Sequence, residues 1–248
     1  MNIKALIFDV DGTLADTEEA HRRSFNRAFE LHGLRWNWSE QEYGRLLKVT
    51  GGKERIGAYI DSLPIEAAER SRLEAEIPAI HATKTENYTQ LVREGLVPLR
   101  EGVLAFIEDA ERAGVTLAIA TTTTLENIEA LLTVNLGRGA LDRFTVIGAA
   151  HHAPRKKPAP DIFDYVLREL EEQAEDCVAI EDSANGLAAA KGAGLFTVIT
   201  PSRWTLGEDF RKADLVLPSL AASPTPLRYI ERCFRPHTLT PWGNNEHA

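Results

Sequence analysis

Short apolar runs return along this chain in a way that only a sheet covered on both faces absorbs. Ala5–Phe8, Val115–Ala120, Phe144–Ile147, Val178–Ile180, Phe196–Ile199 and Leu215–Leu217 are near-continuous rather than alternating, the pattern of strands buried on both sides. Helical patterns lie between them. Val103, Phe106, Ile107 and Ala110 recur at helical spacing with Gly114 as a stop, and Pro160 opens a helix that puts Ile162, Val166 and Leu170 on one face. Strands alternating with helices predict an α/β protein built on a doubly wound parallel sheet.

Residues 18–94 break the rhythm. They contain no strand-like run and read as helices over roughly 18–32, 39–47, 52–62 and 66–94. A helical stretch of that length is too long for one crossover. The expectation is a helical domain, residues 17–94, inserted after the first strand of a core formed by residues 1–16 and 95–248. Its two crossings, near Asp16–Glu18 and Gly95–Arg100, would be hinges. There is no internal repeat, and the polar stretch from about Arg235 is expected to be loose.

With 248 residues, 44% of them apolar, the chain can bury a large core. A net charge of -9 argues against nucleic acid or an anionic membrane as a main partner. No run approaches the about 18 apolar residues that a spanning helix needs, and residues 1–8 are too short for a leader segment. The two cysteines, Cys177 and Cys233, are far apart and suggest neither a disulfide framework nor a zinc site. A cytoplasmic monomer is expected.

The polar groups fall at the ends of the apolar runs. The first run stops at Asp9 and Asp11, with Gly12 following. The run VTLAIA ends in Thr121-Thr122-Thr123-Thr124, and CVAI ends in Glu181-Asp182-Ser183. Arg155-Lys156-Lys157-Pro158 precedes the helix opened by Pro160. In a parallel sheet the strand C-termini share one edge, where such folds bind ligands. Each piece alone is ordinary: a turn, a helix cap, a basic surface loop. In this order, each at a strand or helix boundary, they converge on one crevice. Acids gathered in that way need a cation, and a hard ion such as Mg²⁺ takes carboxylate oxygens. Threonine, lysine and backbone N–H groups are the parts that grip a phosphoryl group.

The motifs D9-V-D-G-T-L, Thr121 after its apolar run, K157-P-A-P-D and E181-D-S-A-N-G resemble the four motifs of the haloacid dehalogenase superfamily. The helical insertion is similar to that of the subclass holding β-phosphoglucomutase and small sugar-phosphate phosphatases. T50-GGKER, T121-TTTLEN and K156-KPAPD resemble loops of sugar-bisphosphate phosphatases of Calvin-cycle organisms. The resemblance implies a Mg²⁺-dependent phosphatase acting on a small phosphorylated sugar, xylulose 1,5-bisphosphate as the single best guess. It makes Asp9 the nucleophile, which forms an aspartyl-phosphate. Asp11 would be the acid and base, its pKa raised by like-charge proximity. Thr121 and Lys157 would hold the phosphoryl oxygens, and Asp9, the Asp11 carbonyl and Asp182 the metal, with Glu181 a ligand or its supporter. Thr122 could add a donor.

Specificity is expected on the insertion. Gly51, Gly52, Lys53, Glu54 and Arg55 put glycines and cations at a helix start, a seat for a second phosphate. His81 and Lys84, three apart on one helix, would serve the same end, and Glu18 and Asn127 would meet sugar hydroxyls. His21 would orient neighbours. His151-His152 is not expected to bind metal, since adjacent loop side chains diverge. Trp36 and Trp38 are expected to pack the insertion, and Trp204 to be local packing or a surface patch. A β-phosphoglucomutase-like phosphotransferase stays open, since its chemistry begins in the same way. A phosphoacceptor receiver domain also pairs acids, Thr and Lys on a parallel sheet, but lacks a large insertion.

Overall fold

The computed structural model describes residues 3–221 and 226–234; the expectation for the stretch from Arg235 lies outside them. The described strands are β1 (Ala5–Phe8), β2 (Thr116–Ala120), β3 (Val146–Gly148), β4 (Cys177–Glu181), β5 (Phe196–Ile199) and β6 (Leu215–Val216). They form one sheet in the order β3-β2-β1-β4-β5-β6, with every pairing parallel. The two-residue side-chain period of a strand divides this sheet into two cores. Leu6, Phe8, Leu117, Ile119, Val178, Ile180 and Val198 face α5 (Val103–Arg112), α6 (Leu125–Leu136) and α9 (Pro226–Cys233). Ala5, Ile7, Ala118, Ala120, Cys177 and Ala179 face α7 (Asp161–Leu170) and α8 (Ala184–Gly192). The small residues of the second face let Phe163 and Ile162 of α7 come close. Helices therefore cover both faces, as the near-continuous apolar runs require.

Register carries the motifs to one place. Phe8 pairs with Ile119 of β2 and Ile180 of β4, so Asp9 is level with Ala120 and Glu181, and Thr121 follows one residue on. The strand order reverses at β1 and β4, the crevice where open parallel sheets bind ligands.

Residues 18–93 form α1 (Glu18–Leu31), α2 (Glu40–Leu46), α3 (Gly52–Ser62) and α4 (Ala67–Arg93), within two residues of the sequence reading. Phe25, Phe29, Trp38, Tyr43, Ile56, Ile60, Leu73 and Ile80 make a third apolar cluster. Trp36 and Trp38 stack edge-on against Phe29 there, as expected. The 27-residue α4 is about 40 Å long. Its Ile80 belongs to the third cluster, whereas Tyr88 and Val92 join the core of the sheet. The largest boundary difference from the sequence reading is at the start of β3. Phe144 lies outside β3 and ends a short helical turn, Ala140–Arg143, its ring buried in the sheet's core; its apolarity serves packing rather than the ladder. Among the described residues no helix is long and apolar enough to cross a membrane.

Candidate active site

Three strand ends and one loop make the centre of the site. Lys157, in the loop before α7, donates to Asp9 Oδ1 at 2.6 Å, to Glu181 Oε1 at 2.6 Å and to the Ala120 carbonyl at 2.9 Å. The other Glu181 oxygen, Oε2, accepts the Asp182 amide at 3.0 Å. Asp182 follows β4 and lies against Gly12, where φ is +87° and a Cβ would collide with the Asp182 carboxylate. Gly186 is likewise bare beneath Glu181, whose carboxylate occupies the space of its missing side chain. Both glycines let backbone approach an acid.

The charges do not balance. Burial, with Glu181 and Asp11 adding and Lys157 opposing, pushes the Asp9 carboxyl up to about 7. Burial beside Glu181 and Asp9 pushes Asp182 well above the carboxylate range. One oxygen from each of Asp9, Glu181 and Asp182 lies within 4.8 Å of the others. Three buried carboxylates against one lysine, all offering hard oxygen ligands, fit a divalent cation such as Mg²⁺.

Asp11 departs from expectation. Burial opposes its ionisation, but His21, a hydrogen bond to Thr17 and the charge of Lys84 outweigh it and hold the carboxyl down to about 2. His21 Nε2 lies 3.2 Å from Asp11 Oδ1, and Lys84 Nζ donates to His21 Nδ1 at 2.9 Å. With Nδ1 accepting, Nε2 carries the proton that faces Asp11. The ring of His21 is stacked on Tyr88 with centroids 4.0 Å apart. The expected upward shift is thus reversed chiefly by His21 of α1, with Thr17 and then Lys84 of α4 adding to it. Lys84 itself, buried, is lowered to about 8. It lines the same cavity as His81 while donating to His21.

One cavity of about 740 Å³ joins this centre to the helical segment. Asp9, Asp11, Lys157, Glu181 and Asp182 line one part, and Gly51, Gly52, Lys53, Arg55 and His81 another. Arg55 is buried, and its Nη1 donates to the Tyr43 hydroxyl at 2.8 Å, which donates to Glu18 Oε2 at 2.6 Å. Its Nε is buried without a partner. Burial, with Lys84, Lys53 and Lys156 nearby, lowers His81 to about 4. These are the marks of a place built for an anion.

The profile of haloacid dehalogenase-like hydrolases matches residues 3–194. The chain belongs to that family. Within this hydrolase family it is 48% identical to the plasmid-borne protein CbbY of Cupriavidus necator over 225 residues, 91% of this chain and 89% of that one. It is also 32% identical to a phosphorylated carbohydrates phosphatase of Thermotoga maritima, over 78% of this chain and 82% of that one. A solved structure of CbbY from Rhodobacter sphaeroides in complex with phosphate is similar at 46% identity and a TM-score of 0.80, covering 88% of this chain and 95% of that one. A mutant of that protein solved in complex with xylulose-(1,5)bisphosphate gives a TM-score of 0.81 at the same identity and coverage. The chain is an enzyme of the hydrolase class, and its parallel sheet is the family's fold.

In this hydrolase most of the residues expected at the site line the cavity, including Glu18, Thr122 and the buried Asn127, whose Nδ2 donates to Thr123 Oγ1 at 3.1 Å. Two do not. Thr121 is buried below the wall, its Oγ1 accepting the Thr123 amide at 3.3 Å. Glu54 turns aside and pairs with Lys156 at 2.5 Å. Residues that the sequence reading did not assign to the site also line it: Thr50, Thr123, Thr124, Lys156, Asn185, Trp204 and Thr205. Trp204 corrects an expectation. Its packing is not local but long-range: it joins the helical cluster and meets Tyr43 of α2 edge-on with centroids 5.5 Å apart. The basic run gave a signal for Lys156, whereas nothing local distinguished Trp204. His151 reaches the cavity wall, and His152 Nδ1 accepts the Ala149 amide at 3.0 Å while its ring stacks on Tyr165.

Proposed function

We propose that this hydrolase is a Mg²⁺-dependent sugar-bisphosphate phosphatase with xylulose 1,5-bisphosphate as substrate, working in the cytoplasm through an aspartyl-phosphate on Asp9. The observation that carries the reading is that one cavity has an acid–lysine centre and a separate cationic lobe with an unpartnered buried Arg55 Nε. A substrate with two phosphates fits both. The relatives support the choice of sugar, since a CbbY has been solved with that bisphosphate.

Asp9, Asp182 and the Asp11 carbonyl would hold the metal, with Glu181 fixed behind them by Lys157 and its backbone partners. Bound there, Mg²⁺ supplies the positive charge that lets a carboxylate meet a phosphate dianion, a repulsion worth several kcal/mol at about 4 Å. Asp9 then bonds to phosphorus as the bond to the sugar oxygen breaks, and that oxygen leaves with its electron pair and takes a proton from Asp11. Water next attacks phosphorus, gives its proton back to Asp11, and the bond to Asp9 breaks. Asp11 rests as an anion beside His21; entry of the phosphate dianion raises its proton affinity toward the form that the first step needs. Lys157 and Thr122 steady the phosphoryl oxygens, and Thr121 beneath them holds the Thr123 amide. Lys53, Arg55 and His81 receive the second phosphate, and Glu18 and Asn127 the hydroxyls between. Residues 17–94 act as a cap that closes over the sugar, with the crossings as hinges.

The test is phosphate release from C5 and C6 sugar mono- and bisphosphates with Mg²⁺, repeated with EDTA. Asp9→Asn is expected to lower turnover by about 10³-fold or more. Arg55→Ala should raise KM for the bisphosphate and leave monophosphates little changed. Equal loss on both substrate classes would defeat the two-phosphate reading. A requirement for a bisphosphate activator without net phosphate release would instead indicate the phosphotransferase.

A further inference from the structure

The second crossing of the chain into the sheet domain ends in an arginine, Arg100, with four partners on two loops. Its Nη1 donates to the carbonyls of Gly12 at 2.5 Å and Thr200 at 2.7 Å, and Nη2 to the carbonyl of Pro201 at 2.8 Å. Its Nε stands 3.7 Å from Asp16, on the first crossing, and its backbone amide donates to the Leu14 carbonyl at 2.9 Å. The side chain is only 12% exposed. A guanidinium can spread donors over several carbonyls in a fixed fork, which a lysine ammonium cannot.

What those carbonyls belong to gives the contact its meaning. Gly12 follows Asp11 and lies against the Asp182 carboxylate. Thr200 and Pro201 begin the loop after β5, whose Thr205 Oγ1 lies 3.3 Å from Asp182 Oδ2 while accepting the Ser202 amide at 2.9 Å. The neighbouring Trp204 touches the helical segment through Tyr43. Both loops thus approach Asp182, and the Arg100 side chain ties their backbones together.

We propose that Arg100 is a positioning residue for the acid cluster: it pins the Gly12–Thr13 peptide to the loop after β5, and so fixes where the adjoining Asp11 carbonyl and the Asp182 carboxylate stand relative to Asp9. It lies where both crossings pass, beside Asp16 and Leu14. The inference rests on reading the cluster as a divalent-cation site.

The experiment compares Arg100→Lys and Arg100→Gln with the parent by calorimetric titration of Mg²⁺ into phosphate-free protein and by backbone hydrogen exchange. Both variants should bind Mg²⁺ about tenfold or more weakly, with faster exchange at Thr13–Ala15 and Ser202–Thr205 and unchanged exchange in β1, β2 and β4. Excess Mg²⁺ should restore kcat. A fall in melting temperature with Mg²⁺ affinity and loop exchange both unchanged would make Arg100 merely structural and overturn the proposal. The lysine variant keeps the charge, so weaker binding there isolates the fork from the cation. If the parent itself takes no Mg²⁺, the metal reading fails separately; loop exchange in the variants then decides the pin, unchanged exchange overturning it and faster exchange sustaining it.

Discussion

Lys157 stands 2.6 Å from both Asp9 and Glu181, with 5% of its side chain exposed. Removing one partner of a buried ion pair leaves charge that water cannot reach, so Lys157→Ala should cost about 3–5 kcal/mol. Urea unfolding without added metal measures this, and Mg²⁺ should return part of the loss because it too offsets the acids. His81 makes a separate prediction about pH. Burial first, then Lys84, Lys53 and Lys156, lower it from 6.5 to about 4. Its unfolded form takes up a proton that its folded form refuses, so stability falls as pH drops from about 6.5 toward 4. His81→Gln should flatten that part of the profile, as read from unfolding midpoints at pH 7 and pH 5. The acids, Lys157 and Arg55 were legible as site residues because each lies at a strand or helix boundary with a recognisable neighbour. Lys84 was legible as a site residue but not in its role, since its partner His21 lies 63 residues away and no local spacing reveals the contact. The depressed pKa of Asp11 was hidden for the same reason.

At the scale of elements, the strands and the four inserted helices were readable because burial on both sheet faces and helical periodicity leave strong patterns. Where patterns were short they misled: Phe144 looked like strand and proved to be a turn residue packed into the core. Loops were least readable. The loop after β5 carries no repeating pattern, yet it places Trp204 on Tyr43 of α2 and Thr205 beside Asp182. An edge-to-face aromatic pair contributes about 0.5–1.5 kcal/mol beyond its buried area. Trp204→Ala should therefore loosen the hold of this loop on the helical segment and raise KM about two- to tenfold. Trp204→Phe should recover most of that, and steady-state kinetics on the bisphosphate tests both. An unchanged KM in the alanine variant would mean that this contact plays no part in holding substrate.

At the scale of the molecule, part of a net charge of -9 is gathered at the buried acid cluster, where water screens it least. Asp9, Glu181 and Asp182 converge from two strand ends with a single lysine among them, and burial first, then the neighbouring acids, pushes Asp9 and Asp182 upward. The unfolded chain disperses these groups, so a cation that needs all of them binds the folded state alone. At a hundredfold excess over its dissociation constant such a ligand adds about 2.7 kcal/mol. For a protein of this size, that corresponds to a rise in melting temperature of about 5–10 °C. Mg²⁺ should produce the rise where Na⁺ at equal ionic strength does not, since screening acts mainly on exposed charges. Asp182→Asn should abolish the Mg²⁺-dependent rise while unfolding at a temperature no lower than the metal-free parent, because it removes a buried like charge along with a ligand. If Mg²⁺ and Na⁺ shift melting alike, or if Asp182→Asn keeps the full response, the crowded acids are held by something other than a divalent ion.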